Sequence, residues 1–168
     1  EAAPKGPLSL ARYGLAATGN TSFGYFGGGR EGSSLKSTVD RIDYSNDTAT
    51  ASAKGPLSAA RRVLVGTGNA SFGYFGGGQT PSASSGMSTV DRIDYSNDTA
   101  TAVAKGPLSI SKRGVAATGN ASFGYFGGGY TSNYVSTVDR IDYSNDTATA
   151  AVKGPLSLAR GYIAATGN

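Results

Sequence analysis

The chain has 168 residues, 26 of them Gly, with no Cys, His or Trp and a net charge of +4. These counts exclude a disulfide framework, a thiolate nucleophile, a Ser-His-Asp triad and any histidine general base. The 15 Lys and Arg are scattered, so no nucleic-acid partner is expected, and no apolar run approaches the ~20 residues that span a bilayer, so no membrane partner is expected either.

Residues 1–7 read as the end of a fourth strand belonging to a preceding unit. Lys5-Gly6-Pro7-Leu8-Ser9 begins a string that returns at Lys54, Lys105 and Lys153, in steps of 49, 51 and 48 residues. Tyr13 to Thr18 is short and apolar and ends at Gly19-Asn20, a tight-turn signal. Ser22 to Phe26 follows, rich in aromatics, and closes on Gly27-Gly28-Gly29. The two segments predict a hairpin.

Residues 30–36 form a loop. Its counterparts, 79–87 and 130–135, give lengths of 7, 9 and 6 residues, and outside this loop every unit measures 42 residues. All length variation therefore sits in one connection. Thr38 to Tyr44 alternates and carries β-branched and aromatic residues, which predicts a third strand. Ser45-Asn46-Asp47 is turn chemistry, and Thr48 to Ala53 returns as a fourth strand before Gly55-Pro56 breaks it. No stretch of ten residues shows a 3.6 period, so helices are not expected.

Four short strands per ~50 residues is the period of a propeller blade. Such units bury their faces only against one another. Phe23, Tyr25, Phe26 and their copies are the expected packing residues. The triple Gly lacks the Lys-Ser or Lys-Thr of a phosphate loop, and its expected role is compactness of the backbone.

The string Phe26-Gly27-Gly28, a variable loop, Val39, Tyr44 and a closing strand resembles a kelch repeat, and the Leu-Ser-x-x-Arg stretch is similar to the segment that leads into the next kelch blade. Thr-Ala-Thr stands where kelch units usually carry Trp. The resemblance implies an all-β fold, a β-propeller of four-stranded antiparallel blades. It divides the chain into blades at 8–55, 57–106 and 107–154, with 155–168 as the first strand of a fourth, shared blade. About three blades plus partial strands do not close a ring. Closure is expected from a homo-oligomer, dimer or trimer, or from a missing part of the chain.

Nine of the eleven acids are Asp, in three copies of one string: Asp40, Asp43, Asp47 and their equivalents. Positions 40 and 43 of one strand point to opposite faces and cannot easily share an ion. They are expected to be structural, Asp47 holding the turn and Asp40 and Asp43 pairing with Arg41-type residues or backbone. Phe26, Gly27, Gly28 and Tyr44 join them as structural positions. No catalytic residue, metal or cofactor is assigned.

The copies differ in two zones: the 2–3 loop and the lead-in to the first strand. In a meander both connections emerge on one face, so a constant scaffold carries a diversified face, as binding loops do. Arg12, Arg30, Arg61, Arg62, Gln79, Arg113, Tyr130 and Tyr134 are its candidate ligand-binding residues. Their chemistry suits a protein or glycan ligand, in an extracellular or virion-associated setting. A purely structural assembly module, such as an appendage or virion component or an engineered repeat, is the alternative.

Overall fold

The computed structural model describes residues 2–167. The fold is all-β. The strands are β1 (Ala16–Gly19), β2 (Phe23–Gly27), β3 (Arg30–Glu31), β4 (Ser34–Leu35), β5 (Val39–Asp43), β6 (Ser52–Lys54), β7 (Val65–Gly68), β8 (Phe72–Gly76), β9 (Val90–Asp94), β10 (Val103–Ala104), β11 (Ala116–Gly119), β12 (Phe123–Gly127), β13 (Val138–Asp142) and β14 (Ala151–Lys153). Three antiparallel four-stranded sheets result, ordered β1-β2-β5-β6, β7-β8-β9-β10 and β11-β12-β13-β14, with a two-stranded ribbon β3-β4 inside the first variable loop. The remaining regular structure is a single 3-10 turn after each third strand.

Local chemistry sets each meander. The Asn20 side chain accepts from the backbone N–H of Ser22 and Phe23, both at 2.9 Å, and closes the β1–β2 turn. Asp43 caps the 3-10 turn, accepting from Ser45 N and Ser45 Oγ. These donors favour the ionised carboxylate and lower its pKa, and the same holds at Asp94 and Asp142. Asp43, expected to pair with Arg41-type residues or backbone, does bond backbone at Ser45 N, and in doing so holds the turn expected of Asp47. The fourth strand starts at Ser52, later than the expected Thr48, because residues 48–50 complete that turn.

Successive sheets pack face to face. One core joins Tyr25 and Val39 of the first sheet to Phe75 and Ile93 of the second, with Leu57 and Leu64 from the connection between them. The next core repeats the set as Tyr74, Val90, Leu108, Val115, Phe126 and Ile141. Phe75 rests on Gly27 and Phe126 on Gly76, each ring filling the space that a side chain would take. Burial of each such ring contributes about 1.5–3 kcal/mol.

A polar seam borders each core. Asp98 accepts from Arg41 Nη1 at 2.7 Å and Tyr25 Oη at 3.0 Å, and pairs with Lys54 Nζ at 3.3 Å. Asp146 takes Arg92, Tyr74 and Lys105 in the same way. The third Asp of the string is therefore a bond between sheets, and Arg41 pairs with the following sheet instead of with Asp40. Burial, then the Asp98 carboxylate, pushes the Tyr25 hydroxyl up to about 12, and Tyr74 and Tyr95 are raised further. Tyr25 stacks on Tyr95 at 4.8 Å and Tyr74 on Tyr143 at 4.7 Å. Tyr44, the first copy of that position, is half exposed.

Residues 2–7 are irregular chain, not the end of a fourth strand; residue 1 of that expected segment lies outside the described residues. Gly6 N donates to Asp47 O, and Pro7 O accepts from Ala51 N. Residues 163–167 lie beside β11 without a ladder, and Thr118 Oγ1 donates to Thr166 O at 2.7 Å. Thr18 Oγ1 donates to Thr67 O in the same way at 2.9 Å. The first strands and this last segment meet around a depression of ≈ 290 Å³ lined by Ala17, Gly66, Ala117 and Ala165 among others.

Candidate binding face

The face carrying both variable zones is built on the glycines that end β2, β8 and β12. Gly28 (φ 72°) and Gly29 (φ 102°) adopt left-handed backbone, which L side chains rarely do. They bring the chain hard against the next lead-in: Gly29 N donates to Arg61 O at 2.9 Å, and a Cβ on Gly28 would lie 2.7 Å from that oxygen. Gly78 and Gly129 make the same bond, to Lys112 O and Arg160 O.

Each loop is then clamped at its base. Lys36 N donates to Gly29 O, Met87 N to Gly78 O and Val135 N to Gly129 O, at 2.9, 2.8 and 3.0 Å. Isolated bridges tie loop to lead-in at Tyr13–Arg30, Arg62–Gln79 and Arg113–Tyr130. The two diversified zones are therefore one surface.

A collar of backbone bonds runs across it. Val63 N donates to Gly14 O, Gly114 N to Val63 O and Tyr162 N to Gly114 O, at 2.7, 3.2 and 2.7 Å. All four residues are left-handed, at φ 66°, 57°, 61° and 56° in chain order. Two of them are Gly. Val63 and Tyr162 hold the same geometry with a side chain, and for β-branched Val63 this is strain.

The candidate residues divide into two groups. Arg12 and Arg61, expected on the binding face, lie in the interior. Arg61 Nη1 donates to Asp91 Oδ2 at 2.7 Å, Nε to Gly77 O and Nη2 to Phe75 O, and both charged side chains are fully buried. Arg12 repeats this with Asp40, Gly28 O and Phe26 O. Their forks hold the strand end and the buried Asp together, so Arg12 and Arg61 cannot reach a ligand. Lys112 takes the position in the third sheet. Its Nζ donates to Phe126 O and Thr137 O and lies 3.0 Å from Asp139 Oδ2, and among the described residues no donor is well aligned on either oxygen of that carboxylate. Desolvation lowers the Lys112 pKa against the pull of Asp139.

Arg30, Arg62, Gln79, Arg113 and Tyr130 are half-buried on the loop face, and Tyr134 is exposed. The Arg113 guanidinium lies 4.7 Å from the Tyr130 ring centre, and Tyr134 meets Tyr130 edge-on at 5.5 Å. Loop one is charged instead, with Lys36 Nζ 2.8 Å from Glu31. The exposed rings of Tyr13 and Tyr162 belong to the same face and were not among the candidates. A signal for this was present. The basic residue of the lead-in is constant (Arg12, Arg61, Lys112, Arg160), whereas the next residue changes (Tyr13, Arg62, Arg113, Gly161). The constant position serves the scaffold and the changing one faces out.

Among the described residues no group of three or more His, Cys, Asp or Glu could hold a metal ion. No protein-family model matches the sequence, and no curated protein is significantly similar to it.

Proposed function

We propose that the sheets are blades of a kelch-like β-propeller acting as a non-enzymatic binding scaffold, with a protein or glycan held on the loop face. The observation that carries this is the convergence of both diversified zones on one surface of Tyr and Arg, over a scaffold that repeats almost unchanged. Arg113 over the Tyr130 ring, with Tyr134 edge-on to it, forms an aromatic and cationic cluster of the residue types that dominate binding energy. The carboxylates support a role without chemistry. Asp40, Asp91 and Asp139 are buried beside cations, and Asp43, Asp94 and Asp142 cap turns.

The test is a glycan array together with pull-down from a protein library, run on the native chain and on Arg113→Ala and Tyr130→Ala. The expected result is a ligand whose binding falls by roughly tenfold or more in both variants, about 1.4 kcal/mol. Binding that survives both changes, or that is lost on altering the opposite face at Asn20 or Asn46, would overturn the reading.

A purely structural module that closes a ring with further copies is the second reading. The half-built outer faces of the first and third sheets favour it.

A further inference from the structure

The inference rests on reading the sheets as blades of one array, and it names the partner of the third sheet's uncovered face. The third sheet exposes half a core. Tyr125, Gly127, Val138, Leu156 and Ile163 line a cavity of ≈ 230 Å³. Their equivalents Tyr25, Gly27, Val39, Leu57 and Leu64 are closed over by Phe75 and Ile93. At Gly127 the place of that Phe is open: the nearest atoms to an added Cβ are Val138 at 3.6 Å and Leu156 at 3.7 Å. The first sheet carries the missing half. Phe26 and Ile42 are half-buried and Tyr44 is half exposed, whereas Phe75, Phe126, Ile93 and Ile141 are buried.

The charges match in the same register. Arg140 and Tyr125 correspond to the Arg and Tyr donors on Asp98 and Asp146, and no carboxylate meets them among the described residues. Asp47 corresponds to the acceptors. Lys5 reaches its Oδ1 at 3.3 Å, and its Oδ2 has no partner among the described residues. In the two built seams that second oxygen takes the Arg and the Tyr.

We propose that a second copy of this chain docks head-to-tail on the third sheet, with Phe26 seated over Gly127 and Asp47 Oδ2 accepting from Arg140 and Tyr125. The two seams already inside the chain are the template for this contact. The docking copy brings its own lead-in, in which Arg12 is locked to buried Asp40. Residues 153–167 occupy the place of residue 5 onward of the incoming copy, with Arg160 exposed, and they give way. The backbone bonds they now make to 129, 135 and 136 pass to the near-identical residues 8–12 of the incoming copy. A contact between two different faces of one chain closes into a ring or grows as a filament.

Sedimentation velocity and native mass spectrometry test this with the full chain. The native chain is expected to associate with rising concentration. Gly127→Val plugs the notch at a strand position with room for it, and Phe26→Ala removes the knob. Each variant alone is expected to be monomeric with an intact β spectrum, its self-association at least roughly tenfold weaker. An equal mixture of the two variants keeps one live contact, pairing the unaltered Gly127 face with the unaltered Phe26 face. It is expected to give a dimer of one of each and nothing larger. A native chain monomeric at every concentration, variants that associate like it, or a mixture that stays monomeric each overturn the proposal. Arg113→Ala leaves assembly unchanged, so failure here is separable from failure of the loop-face reading.

Discussion

Phe75 lies so close on Gly27 that a Cβ there would sit 2.9 Å from its ring carbons, and the Gly76–Phe126 pair is tighter still, at 2.5 Å. The glycine of one sheet is shaped by the phenylalanine of the next. Gly27→Ala and Gly76→Ala are expected to destabilise the chain by about 1–3 kcal/mol through overpacking. Gly127→Ala, with open space around it, is expected to be neutral or to stabilise by about 0.4–1 kcal/mol. Urea denaturation of the three variants reads the contrast, and equal losses at all three would contradict it.

The Arg61–Asp91 pair is buried with its remaining donors on backbone carbonyls. Asp91→Ala would strand a guanidinium in the core, and a loss of about 3–5 kcal/mol is expected. Lys112 offers a poorer solution at the same place, with Asp139 short of aligned donors among the described residues. Lys112→Arg restores the fork of the other two sheets, and a gain of roughly 1 kcal/mol is expected in thermal unfolding. A loss would mean that the third site has repacked around Lys.

These positions show how far the sequence could be read. The period, the meander and the turn at Asn20 were legible because each rests on local chemistry repeated three times. The roles of the three Asp residues were not. Asp40, Asp43 and Asp47 are seven residues apart at most, yet their partners are Arg12, Ser45 and, for the Asp47 position, residues of the neighbouring sheet. Only the stacking of sheets decides that, and no local pattern reports it. Arg12 and Arg61 read from the sequence as binding-face residues for the same reason. They flank variable residues in the chain, but a fork reaching two carbonyls and an Asp points inward.

Val63 at φ 57° carries a β-branched side chain where Gly14 and Gly114 stand in the equivalent places. Val63→Gly is expected to stabilise the chain by about 1 kcal/mol, the relief of left-handed strain exceeding the added entropy of the unfolded chain. Thermal melts check it. A lower melting temperature would show that the Val63 side chain holds the collar by packing.

Alkaline pH should unfold the protein through its tyrosines. The folded-state pKa of Tyr25 is raised to about 12, chiefly by burial, whereas an unfolded Tyr ionises near 10. A raised value means the unfolded chain releases its proton first. The stabilisation is complete below pH ~10 and is lost as pH rises from 10 towards 12. Melting temperature followed with tyrosinate absorbance should show a joint, cooperative change, with Tyr25→Phe less sensitive in that range. Smooth ionisation of all tyrosines near pH 10, with no loss of structure, would contradict the burial.

The clamp at each loop base, from Lys36, Met87 or Val135 to the glycine carbonyl, holds its two ends at one separation whatever lies between. Closing a longer span costs only about 0.6 kcal/mol per doubling. The sheets therefore have no stake in what the span contains. Each clamp is a socket into which a foreign peptide could be spliced, so three different sequences could be displayed side by side on one frame.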